Sequence, residues 1–208
     1  MRRFAALIPL VALAFPLGAQ ARPKAAAVDT AVFAGGCFWG IDGVFKHVRG
    51  VTDATSGYAG GRVAAPSYEE VSTGETGHAE SVRVIYDPAV VSYGKLLQIF
   101  FSVAHDPTEL NRQGPDVGTQ YRSAIFYRND VQKKEVAAYI DQLTKAKHFQ
   151  RPIVTQVTQL EKFFPAEGYH QDYMAHNPHS PYIMMFDAPK VENLKKEFPD
   201  FYREPTRP

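Results

Sequence analysis

Cys37 is the only cysteine of the 208-residue chain, and Trp39 two positions on is its only tryptophan. Both lie in Gly35-Gly36-Cys37-Phe38-Trp39-Gly40, behind the apolar run Ala31-Val32-Phe33-Ala34. Ahead of them Ile41, Val44, Phe45 and Val48 recur at helical spacing, with Lys46 and Arg49 in the last turn and Gly50 as a stop signal. The pattern predicts a strand that turns into a helix at Cys37. Unpaired N–H groups at a helix start carry partial positive charge and favour thiolate, the nucleophilic form of cysteine. The competing reading is a small buried hydrophobe with no chemistry.

Other residue types could complete a site. Glu80 ends Gly77-His78-Ala79-Glu80 and leads into a strand. It is either a solvated charge or, if it faces the aromatic surroundings of Cys37, a carboxyl kept protonated by desolvation and able to act as a general acid. Asp116 and Tyr121 close a long loop, and Tyr68 stands in Ser67-Tyr68-Glu69-Glu70. Taken singly, these read as a turn residue and ordinary half-buried aromatics. His170, His176 and His179 cluster, but no metal-ligand spacing accompanies them. The glycine-rich segments match no nucleotide-binding pattern, and no G-x-S-x-G marks a serine hydrolase.

The elements that must position these residues follow from periodicity and turn signals. Strands are predicted at 51–57, 81–86, 121–127 and 153–160. Helices are predicted after Ser92 to Ala104, after the cap residue Asn129, and over Val191–Phe198. Between them lie a mostly loop segment from Ser67 to Glu80 and a turn-rich loop from His105 to Gly118. Loops of the latter length inside a compact domain tend to be functional. Strands mixed with helices, with no repeat or linker, imply one α+β domain with a mixed sheet and packed helices, spanning 29–208.

Composition limits the partners. A net charge of +1, with 45% hydrophobic and 22% charged residues, argues against nucleic acid and against disorder. Arg2-Arg3, the apolar stretch Phe4 to Gly18 and Ala19-Gln20-Ala21 predict a cleaved signal peptide over 1–21, followed by a flexible leader over 22–28. The expected location is exported, periplasmic or secreted, with no stable membrane association after cleavage. Cysteines of exported chains usually pair, so a single one points to a reactive thiol or an intermolecular bridge.

Several motifs together resemble one family, peptide methionine sulfoxide reductase A. They are Gly36-Cys37-Phe38-Trp39-Gly40, Gly57-Tyr58-Ala59-Gly60-Gly61, Tyr68-Glu69-Glu70-Val71 and Thr76-Gly77-His78-Ala79-Glu80. His105-Asp106-Pro107, Asn111 through Ser123, Tyr169-His170-Gln171 and Asn177-Pro178 continue the set in family order, over roughly 30–182. The resemblance implies a two-layer α/β sandwich around a mixed sheet and a peptide-methionine (S)-S-oxide reductase, acting on methionine sulfoxide in proteins or free. It implies Cys37 as nucleophile, Phe38 and Trp39 as walls for the substrate methyl group, and Glu80 as proton donor. It also implies Tyr68 and Tyr121 as hydrogen-bond donors to the sulfoxide oxygen, and Asp116 as support for the polar side. No bound cofactor or metal is implied.

Many family members carry further cysteines that resolve the sulfenic acid; this chain has none, as in the family's single-cysteine branch. An external thiol must then reach Cys37 directly, whether thioredoxin-like, glutaredoxin-like or of low molecular weight, so Cys37 is expected not to be deeply buried. A thiol peroxidase or peroxide sensor would need the same low-pKa cysteine, and a secreted binding module would need only a structural one.

Overall fold

A computed structural model describes residues 28–205. The predicted signal peptide, and the leader up to position 27, lie outside the described residues. Eight strands and six α-helices follow in the order β1 (Asp29–Gly35), α1 (Phe38–Lys46), β2 (Val51–Ala59), α2 (Tyr68–Ser72), β3 (Ala79–Tyr86), α3 (Tyr93–Ile99), β4 (Arg112–Gln113) and β5 (Asp116–Val117). The chain continues with β6 (Ser123–Tyr127), α4 (Asp130–Lys145), β7 (Gln156–Gln159), β8 (Phe163–Pro165), α5 (Tyr173–His176) and α6 (Ala188–Glu197). Six strands form one sheet in the order β7-β6-β1-β3-β2-β8, and β4 pairs with β5 in a separate hairpin. Every pairing in the large sheet is antiparallel except β6 with β7, so the sheet is mixed and the class is α+β.

The central strand β1 alternates its side chains between two unequal faces. Ala31 and Phe33 point into the main core with Ile41, Val44 and Phe45 of α1 and Leu96, Leu97 and Phe100. Val32 and Ala34 point into a smaller cluster with Ala59, Ala79, Ala124 and Phe126. The Phe33 ring stacks on Phe45 and Phe100, with centroids 5.0 and 4.8 Å apart. Such pairs contribute about 0.5–1.5 kcal/mol beyond the area they bury. They fix α1 on the sheet, and with it the end that carries Cys37.

Caps read from the sequence are formed. Ser92 accepts the Lys95 N–H and Asn129 the Gln132 N–H, each worth about 1 kcal/mol. Several boundaries differ from expectation; strand β7, for one, covers only Gln156–Gln159 of the expected 153–160. The segment 67–80 is not all loop: Ser67 and Glu70 form a reciprocal capping box on the short α2. Strand β2 continues through Gly57 to Ala59, because β8 lies against it and the Phe164 carbonyl would sit 2.3 Å from a Cβ on Gly57. Tyr121 ends a 3-10 turn over Thr119–Tyr121 instead of opening a strand. Helix α1 stops at Lys46, and Gly50 serves the following turn at φ +91°.

Candidate active site

Cys37 is the N-cap residue of α1, in the turn the sequence predicts. The chain enters it through Gly36, whose φ of +93° favours glycine and whose absent Cβ leaves room for the Gln113 side chain. Gln113 is itself pinned, accepting the Asp106 N–H and donating to the Asp106 carbonyl, both at 3.0 Å. The long 105–118 loop is therefore closed over the strand-to-helix turn. Beneath Gly35, His105 is bonded to the Phe100 carbonyl and Ser123 Oγ. Burial lowers its pKa to about 4, leaving it uncharged at neutral pH.

Glu80, on β3, does face Cys37's helix. It is buried and accepts the Phe38 N–H at 3.0 Å, one of the donors that α1 leaves unpaired. Burial pushes its pKa up to about 8 against that hydrogen bond, reinforced by the carboxylates of Asp116 and Asp187. Glu80 is thus a protonated acid at neutral pH, and the solvated-charge alternative falls. Tyr68 and Tyr121 complete the polar side. Burial first, and then the charge on Glu80, raises both phenols, so they remain hydrogen-bond donors. Asp116 accepts a hydrogen bond from the Tyr182 hydroxyl.

Phe38 is buried and Trp39 half-buried, with ring centroids 6.4 Å apart. Trp39 stacks on Tyr173 at 3.7 Å and meets the edge of Tyr182 at 5.9 Å. These rings form an aromatic wall at the helix start. All seven residues expected at the site therefore lie around one helix N-terminus.

Two expectations about the sulfur are corrected. Cys37 is 8% exposed, so the thiol is buried where an open one was expected. The segment 183–197 packs onto α1 and closes that side. The thiol pKa is also raised, not lowered. Burial is the main cause, followed by Glu80 and Asp187, and these outweigh the Trp39 N–H and the Lys190 ammonium. Below pH about 8 Glu80 is uncharged and its part of that opposition disappears.

Positional roles emerge that sequence reading left unassigned. His170, weighed there only as part of a histidine cluster, receives the Trp39 indole N–H on Nδ1 at 3.2 Å. Nδ1 must then be unprotonated, and burial lowers the ring's pKa, so His170 is a neutral brace for Trp39. Its ring also packs 4.4 Å from that of Tyr68. Glu167 accepts the Tyr58 hydroxyl and the Tyr68 N–H, both at 2.8 Å. Burial works against it, but those donors and its own N–H hold its carboxyl below the usual range. Gln171 clamps Ser56 of β2 with two 2.9 Å bonds. The only advance signal was that His170 and Gln171 stand in a run shared with the resembled family; Tyr182, Asp187 and Lys190 had none.

The chain is similar to known proteins over most of its length. The family profile described as peptide methionine sulfoxide reductase matches residues 29–201. Peptide methionine sulfoxide reductase MsrA 2 of Mesorhizobium japonicum is 60% identical over 176 residues, 85% of this chain and 90% of that protein. Mxr1 of Saccharomyces cerevisiae in reduced form superposes with a TM-score of 0.70 at 34% identity, covering 76% of this chain and 91% of that one. Methionine sulfoxide reductase A of Corynebacterium diphtheriae gives 0.66 at 33% identity, with 80% and 84% covered. With a family profile over most of the chain and relatives this similar, the chain belongs to the peptide methionine sulfoxide reductase A family, oxidoreductases that reduce methionine sulfoxide.

Proposed function

We infer that Cys37 attacks the sulfur of methionine S-sulfoxide, free or in a polypeptide, while Glu80 hands its proton to the sulfoxide oxygen. The observation that carries this reading is the hydrogen bond from the Phe38 N–H to Glu80. It ties a carboxyl with a pKa of about 8 to the helix end that bears the thiol. A sulfoxide sulfur is electrophilic only when its oxygen is protonated or strongly hydrogen-bonded. Glu80 supplies the proton, and the Tyr68 and Tyr121 hydroxyls supply hydrogen bonds as charge develops. Phe38 and Trp39 receive the methyl group, and Asp116, bonded to Tyr182, steadies the polar wall.

The step balances without a further reactant. An S–O bond of the substrate breaks and one to Cys37 forms, giving methionine and a Cys37 sulfenic acid. With no second cysteine in the sequence, an internal disulfide is impossible. Two external thiols then return the sulfenic acid to thiol, leaving as a disulfide and water. The donor is a thioredoxin-like or glutaredoxin-like protein or a small thiol, and no bound cofactor or metal takes part. Reading residues 1–21 as a signal peptide supports a site of action outside the cytoplasm, in the periplasm or beyond.

Quantifying methionine formed from the separated S and R sulfoxides, without any thiol, tests this. One equivalent per chain from the S epimer and none from Cys37→Ser is the expected result. Many equivalents without reductant, or turnover by Cys37→Ser, would refute it.

A further inference from the structure

The segment that buries Cys37 also brings a cation to it. Asp187 is fully buried, and its Oδ1 accepts a hydrogen bond from the Lys190 ammonium at 3.0 Å. The pair lies against the first turn of α1. A Cβ on Gly40 would stand 2.1 Å from Asp187 Oδ1 and 2.7 Å from Lys190 Nζ. Gly40 is three residues beyond Cys37, and only a hydrogen there lets the pair sit flush with the helix start. Asp187 Oδ2 is buried without a hydrogen-bond partner, so the pair is not built for stability alone.

Helix electrostatics make the same point. Lys190 is the third residue of α6, where that helix's own dipole disfavours a cation, and it faces the equally positive end of α1. Its side chain is 18% exposed, so little water compensates. A lysine held there by a buried aspartate is explained by an anion that forms nearby.

We propose that Lys190, held by Asp187, is a positioning residue for Cys37, its positive charge offsetting part of what a pocket of acids and phenols costs a sulfur anion. The groups around Cys37 are Glu80 from β3, Asp187 and Lys190 from the C-terminal segment, and the hydroxyls of Tyr68, Tyr121 and Tyr182. Asp116 acts on Glu80 and Asp187, and His105 feels Lys190 while staying neutral. Of these, Lys190 alone favours the thiolate by its charge. The inference rests on Cys37 being the attacking thiol.

Alkylation of the native chain by iodoacetamide across a pH series, followed by intact mass at the single cysteine, tests it without calling on turnover. Lys190→Met should move the midpoint of the rate profile up by roughly one pH unit, slowing alkylation about tenfold at any pH below it. Lys190→Arg, which keeps the charge, should return close to the native profile. Should Lys190→Met fail to fold, Lys190→Gln gives the same reading. A neutral variant with the native profile would overturn the proposal. So would an Arg variant displaced as far as the neutral one, since packing and not charge would then be the cause. Reductase activity surviving in Cys37→Ser would instead remove the catalytic assignment and leave the alkylation profile interpretable.

Discussion

Three carboxyl groups are buried against helix α1, and two of them, Glu80 and Asp42, differ in whether a cation accompanies them. Glu80 sits at the start of the helix, accepts one N–H, and has two further carboxylates as neighbours; burial raises its pKa to about 8. Asp42, within the helix, receives the Lys46 ammonium at 2.9 Å, and Lys46 also reaches Asp172 at 2.6 Å. Burial raises Asp42 to about 7, with Lys46 pulling against it. A carboxyl given a cation can hold its charge and serve the fold. A carboxyl denied one keeps its proton to near pH 8 and is ready to give it away. Helix α1 thus contains one buried acid paired with a lysine and meets, at its start, another from β3 that has no such partner.

The comparison can be broken at its active end first. Glu80→Gln keeps the shape but removes the transferable proton, and should lower the single-turnover rate by roughly 10²–10⁴-fold with a smaller change in substrate binding. An unchanged rate would take Glu80 out of the acid role. In the native protein the same rate should rise with pH up to about 8 and level off there, because Glu80 loses its proton while the Cys37 thiolate is still forming. Glu80→Gln should go on rising through that window, following the thiolate alone.

At the structural end, Lys46→Met leaves Asp42 buried without its cation. Unfolding at pH 8 should become easier by about 1–3 kcal/mol, and by less at pH 5, where Asp42 takes up a proton instead. Both acids have folded pKa values above their unfolded ones, so the native state binds more protons. Their stabilising contribution is complete below the ordinary carboxylate range and is lost as pH rises through about 7 for Asp42 and about 8 for Glu80. Thermal melts should therefore fall with pH over that interval. Asp42→Asn should make the slope shallower up to about pH 7, and Glu80→Gln should make it shallower up to about pH 8. The smallest effect expected is from Tyr182→Phe, which deprives Asp116 of its hydroxyl partner and should slow turnover a few fold, since it acts only through Asp116.

The strand-to-helix turn at Cys37 was legible because its signals are local: an apolar run, two glycines and a helical stripe. The caps at Ser92 and Asn129 were legible for the same reason. Helix α2 was hidden because five residues are too few for periodicity, although Ser67 and Glu70 carry its capping pattern. The site residues could be gathered by resemblance, but their protonation states could not. Those depend on how far α1 is covered, and the cover comes from Asp187 and Lys190, some 150 positions away and marked by no motif. A helix start by itself predicts an acidic thiol. The thiol that results is a weak acid because burial at this site costs an anion more than the helix end returns.

The two outermost strands of the sheet bear on how the protein meets damaged chains. β7 has four residues and β8 three, and β8 ends at Pro165, which has no N–H to offer. Oxidised polypeptides expose extended segments that pair readily with any long free sheet border. Borders this brief give such a segment almost nothing to zip onto.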